Sequence, residues 1–144
     1  MIKAALFDVF GTCVDWRSGV ADFARPFLSD SGLEPNLAEQ IADEWRKHYD
    51  PSMARVRDGK RSYVTLDIIQ RENLDAVLDR LGMAKSFNAE DRQQLNEAWE
   101  HLPAWPDTIG ALANLKQEMP IAACSNGSKP MMERLAVYAG LHWS

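Results

Sequence analysis

Near the start of the chain lies the stretch Ala4-Ala5-Leu6-Phe7-Asp8-Val9-Phe10-Gly11-Thr12, in which an apolar run ends in a carboxylate and a Gly-Thr turn. This pattern predicts a buried strand that carries Asp8 at its carboxyl end. Ligands of open α/β sheets bind in the crevice at the carboxyl ends of the strands, so a side chain there faces substrate from a rigid backbone. Asp8 is therefore the first catalytic candidate. The alternative is an aspartate that only caps the turn after a strand.

A second apolar run, Pro120 to Cys124, ends in Ser125-Asn126-Gly127-Ser128. Taken alone, Ser-Asn-Gly is an ordinary turn signal. If the two runs form neighbouring parallel strands, however, Ser125 and Asn126 face the same crevice as Asp8. The sequence therefore predicts a small-molecule site between the two strand ends.

The D-x-x-G-T pattern and the Ser-Asn block resemble the first two motifs of the haloacid dehalogenase superfamily. This resemblance implies that Asp8 attacks the substrate and that the hydroxyl of Thr12 positions it. The phosphatases of the superfamily carry a second aspartate two residues after the nucleophile, where this chain has Phe10. Phe10 cannot protonate a departing alkoxide, whereas a halide leaves without a general acid. Phe10 also removes a carboxylate that would hold magnesium, so no metal and no cofactor are expected.

A third match, Glu44-Trp45-Arg46, lies in a predicted helix. It is similar to the Trp-Arg pair of the L-2-haloacid dehalogenases, in which an arginine from an inserted helical domain binds the leaving halide. A guanidinium suits that task because its charge is permanent and its donors lie in one plane. The alternative is a surface arginine on an amphipathic helix.

The resemblance implies hydrolysis of a small L-2-haloalkanoic acid to a 2-hydroxy acid through an ester of Asp8. Backbone N–H groups just after Asp8 would stabilise the oxyanion formed during ester hydrolysis. The predicted catalytic residues are Asp8, Thr12 and Arg46, and the predicted substrate-binding residues are Val9, Phe10, Arg46, Ser125 and Asn126.

Composition fits an intracellular enzyme without a nucleic-acid partner. The chain has 144 residues, 46% of them apolar, and a net charge of −5. Its densest basic segment, Arg55 to Arg61, is interrupted by acidic and glycine residues and is expected to be a solvated loop. No apolar stretch is long enough to span a bilayer and no signal peptide precedes the first strand, which predicts the cytoplasm. Cys13 and Cys124 are expected to be reduced, packed thiols.

Helical periodicity occupies the region between the two motifs. The predicted helices cover residues 16–28, residues 36–49 with Asn36 as cap, a segment from Ser62 to Gly82, residues 88–101 and residues 107–118; residues 51–61 are predicted to be a loop. The aromatic residues Trp16, Trp45, Tyr63, Trp99 and Trp105 are expected to pack between these helices and the strands, with one or two lining the pocket.

These elements predict an α/β fold with the parallel-sheet, Rossmann-like core of the superfamily. Residues 1–13 and 101–144 form the core, and residues 14–100 form an inserted helical cap domain. Only two core strands can be found, although a doubly wound sheet needs more. The third-motif lysine and the fourth-motif aspartate of the family are also absent, and Lys129 is expected to face water in the first turn of a helix. The core is therefore expected to be incomplete, either as part of a longer enzyme or completed by a partner chain.

Three functions follow. The first is metal-independent dehalogenation of a 2-haloacid with release of halide, for which the resemblance also suggests a homodimer. The second is a magnesium-dependent phosphatase or phosphonatase of the same superfamily, and Phe10 argues against it. The third is a non-catalytic module left by truncation.

Overall fold

A computed structural model describes residues 1–144 and confirms an α/β fold that is mostly helical. Two short strands stand at opposite ends of the chain, and helices fill the sequence between them. In chain order the elements are β1 (Ala5–Phe7), α1 (Trp16–Asp30), α2 (Leu37–Arg57), α3 (Leu66–Arg80), α4 (Ala89–Asn96), a 3₁₀ turn (Glu97–Glu100), α5 (Thr108–Glu118), β2 (Ile121–Ala123) and α6 (Lys129–Ala139). None of the helices is long and apolar enough to cross a membrane.

The two strands pair in parallel, as the sequence predicts, with Leu6 opposite Ala122. The pairing continues past the strand ends, because the Cys124 N–H donates to the Phe7 carbonyl at 2.7 Å. Both carboxyl ends therefore lie at the same edge of the sheet. The residues that follow, Asp8 and Ser125, leave that edge together.

The chain enters and leaves the helical region through a paired segment that we call the stem, residues 13–15 and 103–105. Val14 forms an antiparallel bridge with Ala104. The Asp15 N–H donates to the Pro103 carbonyl at 2.9 Å, and the Trp105 N–H donates to the Cys13 carbonyl at 3.1 Å. The helical segment thus begins and ends at neighbouring points beside the sheet.

Trp45 and Trp99 lie in the core where the helices meet. Both are almost fully buried, and their rings make an edge-to-face contact with centroids 5.5 Å apart. The indole N–H of Trp45 donates to the Gln70 carbonyl at 2.9 Å, which satisfies a buried donor and fixes α2 against α3. The prediction that aromatic residues pack the interior is correct for these two but wrong for Tyr63 and Trp105, which are 81% and 38% exposed.

The prediction of a loop over residues 51–61 is wrong for residues 51–57, because α2 continues through Pro51 to Arg57, and correct for residues 58–61, which form a turn. A proline inside a helix removes one donor and its ring crowds the carbonyl four residues earlier, and packing in the next turn offsets this cost. Met53 and Val56 pack against the core, and the Ser52 hydroxyl donates to the Asn73 Oδ1 atom at 2.7 Å. Tertiary contacts therefore extend the helix by two turns beyond the predicted end.

Two of the predicted helix caps differ from the structure. Asn36 precedes α2 but makes no capping bond through its side chain, and α3 begins after Thr65 rather than at Ser62. Thr65 is the residue at which the extended backbone turns into the helix. In contrast, Asn88 forms a reciprocal capping box with Asp91 at the start of α4.

Candidate active site

A cavity of about 460 Å³ opens at the carboxyl ends of the two strands, between the sheet edge and helices α2 and α3. It brings together five of the residues that the sequence predicts for the site. The residues that line it are Asp8, Phe10, Arg46, Tyr49, Leu66, Gln70, Trp99, Cys124, Ser125 and Asn126. Side chains separated by more than a hundred positions in the chain thus share one pocket.

Asp8 is exposed at the cavity wall, and a tight turn behind it fixes its position. The N–H groups of Cys13 and Val14 both donate to the Val9 carbonyl, and Gly11 within the turn has a φ of 91°. A side chain would be strained at that φ, so the turn requires glycine. The turn also places Thr12 behind the carboxylate, where the Thr12 Oγ1 atom donates to Asp8 Oδ2 at 2.7 Å. Thr12 therefore contacts Asp8 and does not line the cavity.

Val9 takes part in the site only through its backbone. Its side chain is fully buried in the core and does not reach the cavity. The backbone N–H groups of Val9 and Phe10 make no hydrogen bond within the chain. Since a backbone donor without a partner binds an acceptor readily, these two groups are available to an anion or a developing oxyanion beside Asp8.

Part of the cavity wall is apolar. Phe10 makes an edge-to-face contact with Trp99, with ring centroids 6.1 Å apart, and Leu66 at the start of α3 completes this surface. None of these side chains exchanges a proton near neutral pH. The cavity can therefore bind the carbon skeleton of a small substrate against this surface, within reach of the charged Asp8 and Arg46.

Arg46 reaches the cavity from α2 and is held mainly by an aromatic ring. Its guanidinium carbon lies 4.7 Å from the centroid of the Tyr49 ring. The nearest carboxylate, on the highly exposed Asp50, is 3.8 Å from the guanidinium. The Tyr49 hydroxyl in turn accepts a hydrogen bond of 2.6 Å from the Asn126 side-chain amide. The cation on α2 is thereby connected to the loop that follows β2.

Ser125 and Asn126 line the cavity on the sheet side, next to Asp8. The Ser125 hydroxyl accepts a hydrogen bond from the Gly127 N–H at 3.2 Å, which tightens the loop after β2. Lys129 lies beyond this loop in the first turn of α6 and its side chain is 87% exposed, in agreement with the sequence-based expectation.

The two cysteines have different surroundings, and neither forms a disulfide. Cys13 is buried, and its thiol lies 3.3 Å from the Asp8 carbonyl, to which it donates. Burial, together with the negative charge of the Asp8 carboxylate, raises the pKa of the Cys13 thiol. The prediction of a packed thiol is wrong for Cys124, which is exposed at the cavity wall. No group of three or more His, Cys, Asp or Glu side chains has a metal-binding arrangement.

Four cavity residues were not predicted from the sequence, namely Tyr49, Leu66, Gln70 and Cys124. A signal existed for Tyr49, since it follows Arg46 by three positions and helix residues at that spacing are neighbours. Gln70 is almost fully buried, and its Oε1 atom has no hydrogen-bond partner. Nothing in the local pattern separates Gln70 from an ordinary helix residue, because its place in the cavity depends on how α3 packs.

Comparison with known proteins indicates the family of this chain. A model of the family described as haloacid dehalogenase-like hydrolase matches residues 2–143. An (S)-2-haloacid dehalogenase from Pseudomonas fluorescens is 30% identical over 145 residues, which is 99% of this chain and 59% of the relative. The chain therefore spans little more than half the length of this relative.

Solved structures give the same result. A defluorinating L-2-haloacid dehalogenase is 40% identical and superimposes with a TM-score of 0.94, covering 99% of this chain and 58% of that one. An L-2-haloacid dehalogenase from Xanthobacter autotrophicus with chloropropionic acid covalently bound is 29% identical and has a TM-score of 0.81, covering 98% and 53% of the two chains.

Proposed function

Because this chain belongs to the haloacid dehalogenase-like hydrolase family, we propose that it carries the nucleophile of an enzyme that hydrolyses small L-2-haloalkanoic acids. The single observation that carries the proposal is the meeting of Asp8, Phe10 and Arg46 in one cavity. Those residues supply a nucleophile, an apolar wall without a proton donor, and a cation for the leaving group. The names of the similar proteins agree with this chemistry.

In the first step, a carboxylate oxygen of Asp8 attacks the halogen-bearing carbon in line. The carbon–oxygen bond forms as the carbon–halogen bond breaks, the halide leaves with the electron pair, and the configuration at carbon inverts. Thr12 supports this step because its hydrogen bond at 2.7 Å to Asp8 Oδ2 fixes the carboxylate. The covalently bound chloropropionic acid in the Xanthobacter enzyme is compatible with such an intermediate.

In the second step, water attacks the ester carbonyl formed on Asp8. The carbonyl–oxygen bond to the substrate breaks, which releases the 2-hydroxy acid, regenerates the carboxylate and yields one proton. The unpaired N–H groups of Val9 and Phe10 are the donors suited to the transient oxyanion. Ser125 and Asn126 bind the substrate carboxylate, and Arg46 binds the halide.

Metal independence is part of the proposal and rests on Phe10. A phosphatase of this superfamily would need a carboxylate at position 10 to protonate the alkoxide and to bind magnesium. Phe10 offers neither function, and its ring packs on Trp99 instead. We therefore place the magnesium-dependent phosphatase second and the non-catalytic module third.

The proposal includes the molecular context of the site. Residues 14–100 are assigned to a cap domain and residues 1–13 and 101–144 to the core; the stem between residues 13–15 and 103–105 supports a boundary there. Two unpaired cysteines fit a reducing compartment, the cytoplasm. Assembly as a homodimer rests on the family resemblance.

The test is halide release from L-2-chloropropionate in the presence of EDTA. It compares Asp8→Asn with the parent in this chain and, where the gene encodes residues beyond Ser144, in the complete product. We expect metal-independent release that Asp8→Asn abolishes, because the amide is a very poor nucleophile. The assignment of the nucleophile is wrong if Asp8→Asn retains parental activity. Activity that requires magnesium and acts on phosphoesters would favour the phosphatase.

A further inference from the structure

We infer that Tyr49 is a positioning residue that holds Arg46 over the cavity and latches helix α2 to the loop after β2. The inference rests on the proposed function only for its kinetic consequences. Its structural content, the arrangement of Arg46, Tyr49 and Asn126, can be measured without any turnover.

Contact with an aromatic ring fixes the Arg46 side chain. A long, flexible side chain with 40% of its surface exposed needs a specific contact to stay in one place. The Arg46 guanidinium makes no hydrogen bond within the chain, and its ion-pair partner Asp50 is 81% exposed and 3.8 Å away. Exposed ion pairs at that distance contribute little. The ring of Tyr49, 4.7 Å below the guanidinium carbon, is therefore the contact that orients the cation.

The hydroxyl of Tyr49 makes a second contact. It accepts the Asn126 amide at 2.6 Å, across 77 positions of sequence. No other side-chain hydrogen bond links α2 to the segment after β2. Tyr49 therefore touches Arg46 with its ring and the strand-end loop with its hydroxyl, so the position of the cation depends on the docking of the helix.

Tyr49 and Asn126 also affect the access of water to the site. They line both the active-site cavity and a neighbouring cavity of about 700 Å³, which is bordered by residues 49–57 of α2. Their hydrogen bond thus stands between the two spaces. Breaking it would open the site to the second cavity, and an anion beside Arg46 would then be better solvated and less strongly bound.

The experiment separates the ring from the hydroxyl. Tyr49→Phe keeps the ring beneath Arg46 and removes the bond to Asn126, whereas Tyr49→Leu removes both. Tyr138→Phe is the matched control, because it deletes the hydroxyl of a tyrosine on α6 that packs against His101 away from the cavity.

The decisive measurement is the proton resonance of the Arg46 Nε–H group in a ¹⁵N-labelled sample of the full chain. A proton above an aromatic ring is shifted upfield by the ring current. We expect an upfield shift in the parent, in Tyr49→Phe and in Tyr138→Phe, and its loss in Tyr49→Leu. An unshifted resonance in the parent overturns the inference, as does a shift that persists in Tyr49→Leu. Should Tyr49→Leu not fold, the parent and Tyr49→Phe spectra still decide.

The kinetic measurement is halide release by the same variants. Loss of the cation–ring contact is expected to lower kcat about tenfold in Tyr49→Leu. Tyr49→Phe should retain most of the parental kcat and raise KM about fivefold, since only a neutral hydrogen bond is lost. A general loss of stability would lower both variants alike, and that result would contradict a positioning role. If the parent releases no halide but the resonance pattern holds, the proposed function fails and the positioning of Arg46 stands.

Discussion

Asp8 and Cys13 lie at the same turn and differ in exposure and in nucleophilicity. The Asp8 carboxylate faces the cavity, while the Cys13 thiol is buried beneath it and donates to the Asp8 carbonyl. Burial and the nearby negative charge both raise the pKa of Cys13, which keeps the thiol protonated near neutral pH. Since only a thiolate is a good nucleophile, Cys13 is structural.

This difference predicts the outcome of alkylation. Iodoacetamide at pH 7.5 should modify the exposed Cys124 and leave Cys13 unmodified until the protein is unfolded. Peptide mass spectrometry of samples taken over time measures both sites. A Cys124→Ser variant serves as the control and should take up no label in the native state. Rapid native labelling of Cys13 would show that the turn around Asp8 opens easily.

Sequence patterns predicted the site residues that follow the two strands. Asp8, Phe10, Ser125 and Asn126 follow strand ends, and the polypeptide direction alone brings such ends to one edge of a parallel sheet. Tyr49 and Gln70 could not be found in this way. Tyr49 acquires its partner from a loop 77 residues away, and Gln70 reaches the cavity only through helix packing.

Two asparagines that precede helices differ in the bonds they make. Asn88 accepts hydrogen bonds from the N–H groups of Glu90 and Asp91 at 2.8 and 3.0 Å. Asn36 stands at the corresponding place before α2 with a helical backbone conformation, and its side chain caps nothing. The sequence predicts a cap at Asn36 and none at Asn88, because residue type alone does not reveal backbone geometry.

Asn88→Ala should therefore lower the free energy of unfolding by about 1 kcal/mol, since two N–H groups of α4 lose their acceptor. Asn36→Ala, the matched variant, should leave it within about 0.5 kcal/mol of the parent. Urea denaturation followed by circular dichroism measures both. Equal losses in the two variants would contradict the assignment of the capping box to Asn88 alone.

Helix α2 shows that local sequence patterns do not determine where a helix ends. Proline and a run of polar residues after Tyr49 are typical of a loop, yet the helix extends to Arg57. The extra turns carry Met53 and Val56 to the core, and burial of these side chains offsets the donor lost at Pro51. A prediction limited to neighbouring residues has no access to that contribution.

At the scale of the whole molecule, the helical segment docks closely on the segment that returns to the sheet. A Cβ atom at Gly19 would lie 2.7 Å from Pro103 Cδ and 2.9 Å from Leu102 Cδ2, so α1 can approach this segment only because it has no side chain there. At Gly110, near the start of α5, a Cβ atom would have no other atom within 4 Å. Substitution of each glycine by alanine therefore compares the cost of a steric clash with the gain in helix propensity.

Gly19→Ala should destabilise the protein by about 1–3 kcal/mol through overpacking, although alanine favours helix. Gly110→Ala should instead stabilise it by about 0.5–1 kcal/mol, because only the backbone entropy changes. Thermal and urea unfolding of the two variants beside the parent provide the measurement. A gain at Gly19 would mean that α1 can move away from residues 102–103 at little cost.

The stem also bears on the order in which the molecule can assemble. Strands β1 and β2 lie at opposite ends of the chain, so pairing them directly would close a very long loop and carry a correspondingly large entropic barrier. Once Val14 is paired with Ala104, the helical segment is already closed upon itself, and only the turn after Asp8 and helix α5 remain between the stem and the two strands. Helix docking followed by stem closure is therefore the order of assembly with the smallest entropic cost for forming the sheet edge on which Asp8 and Ser125 meet.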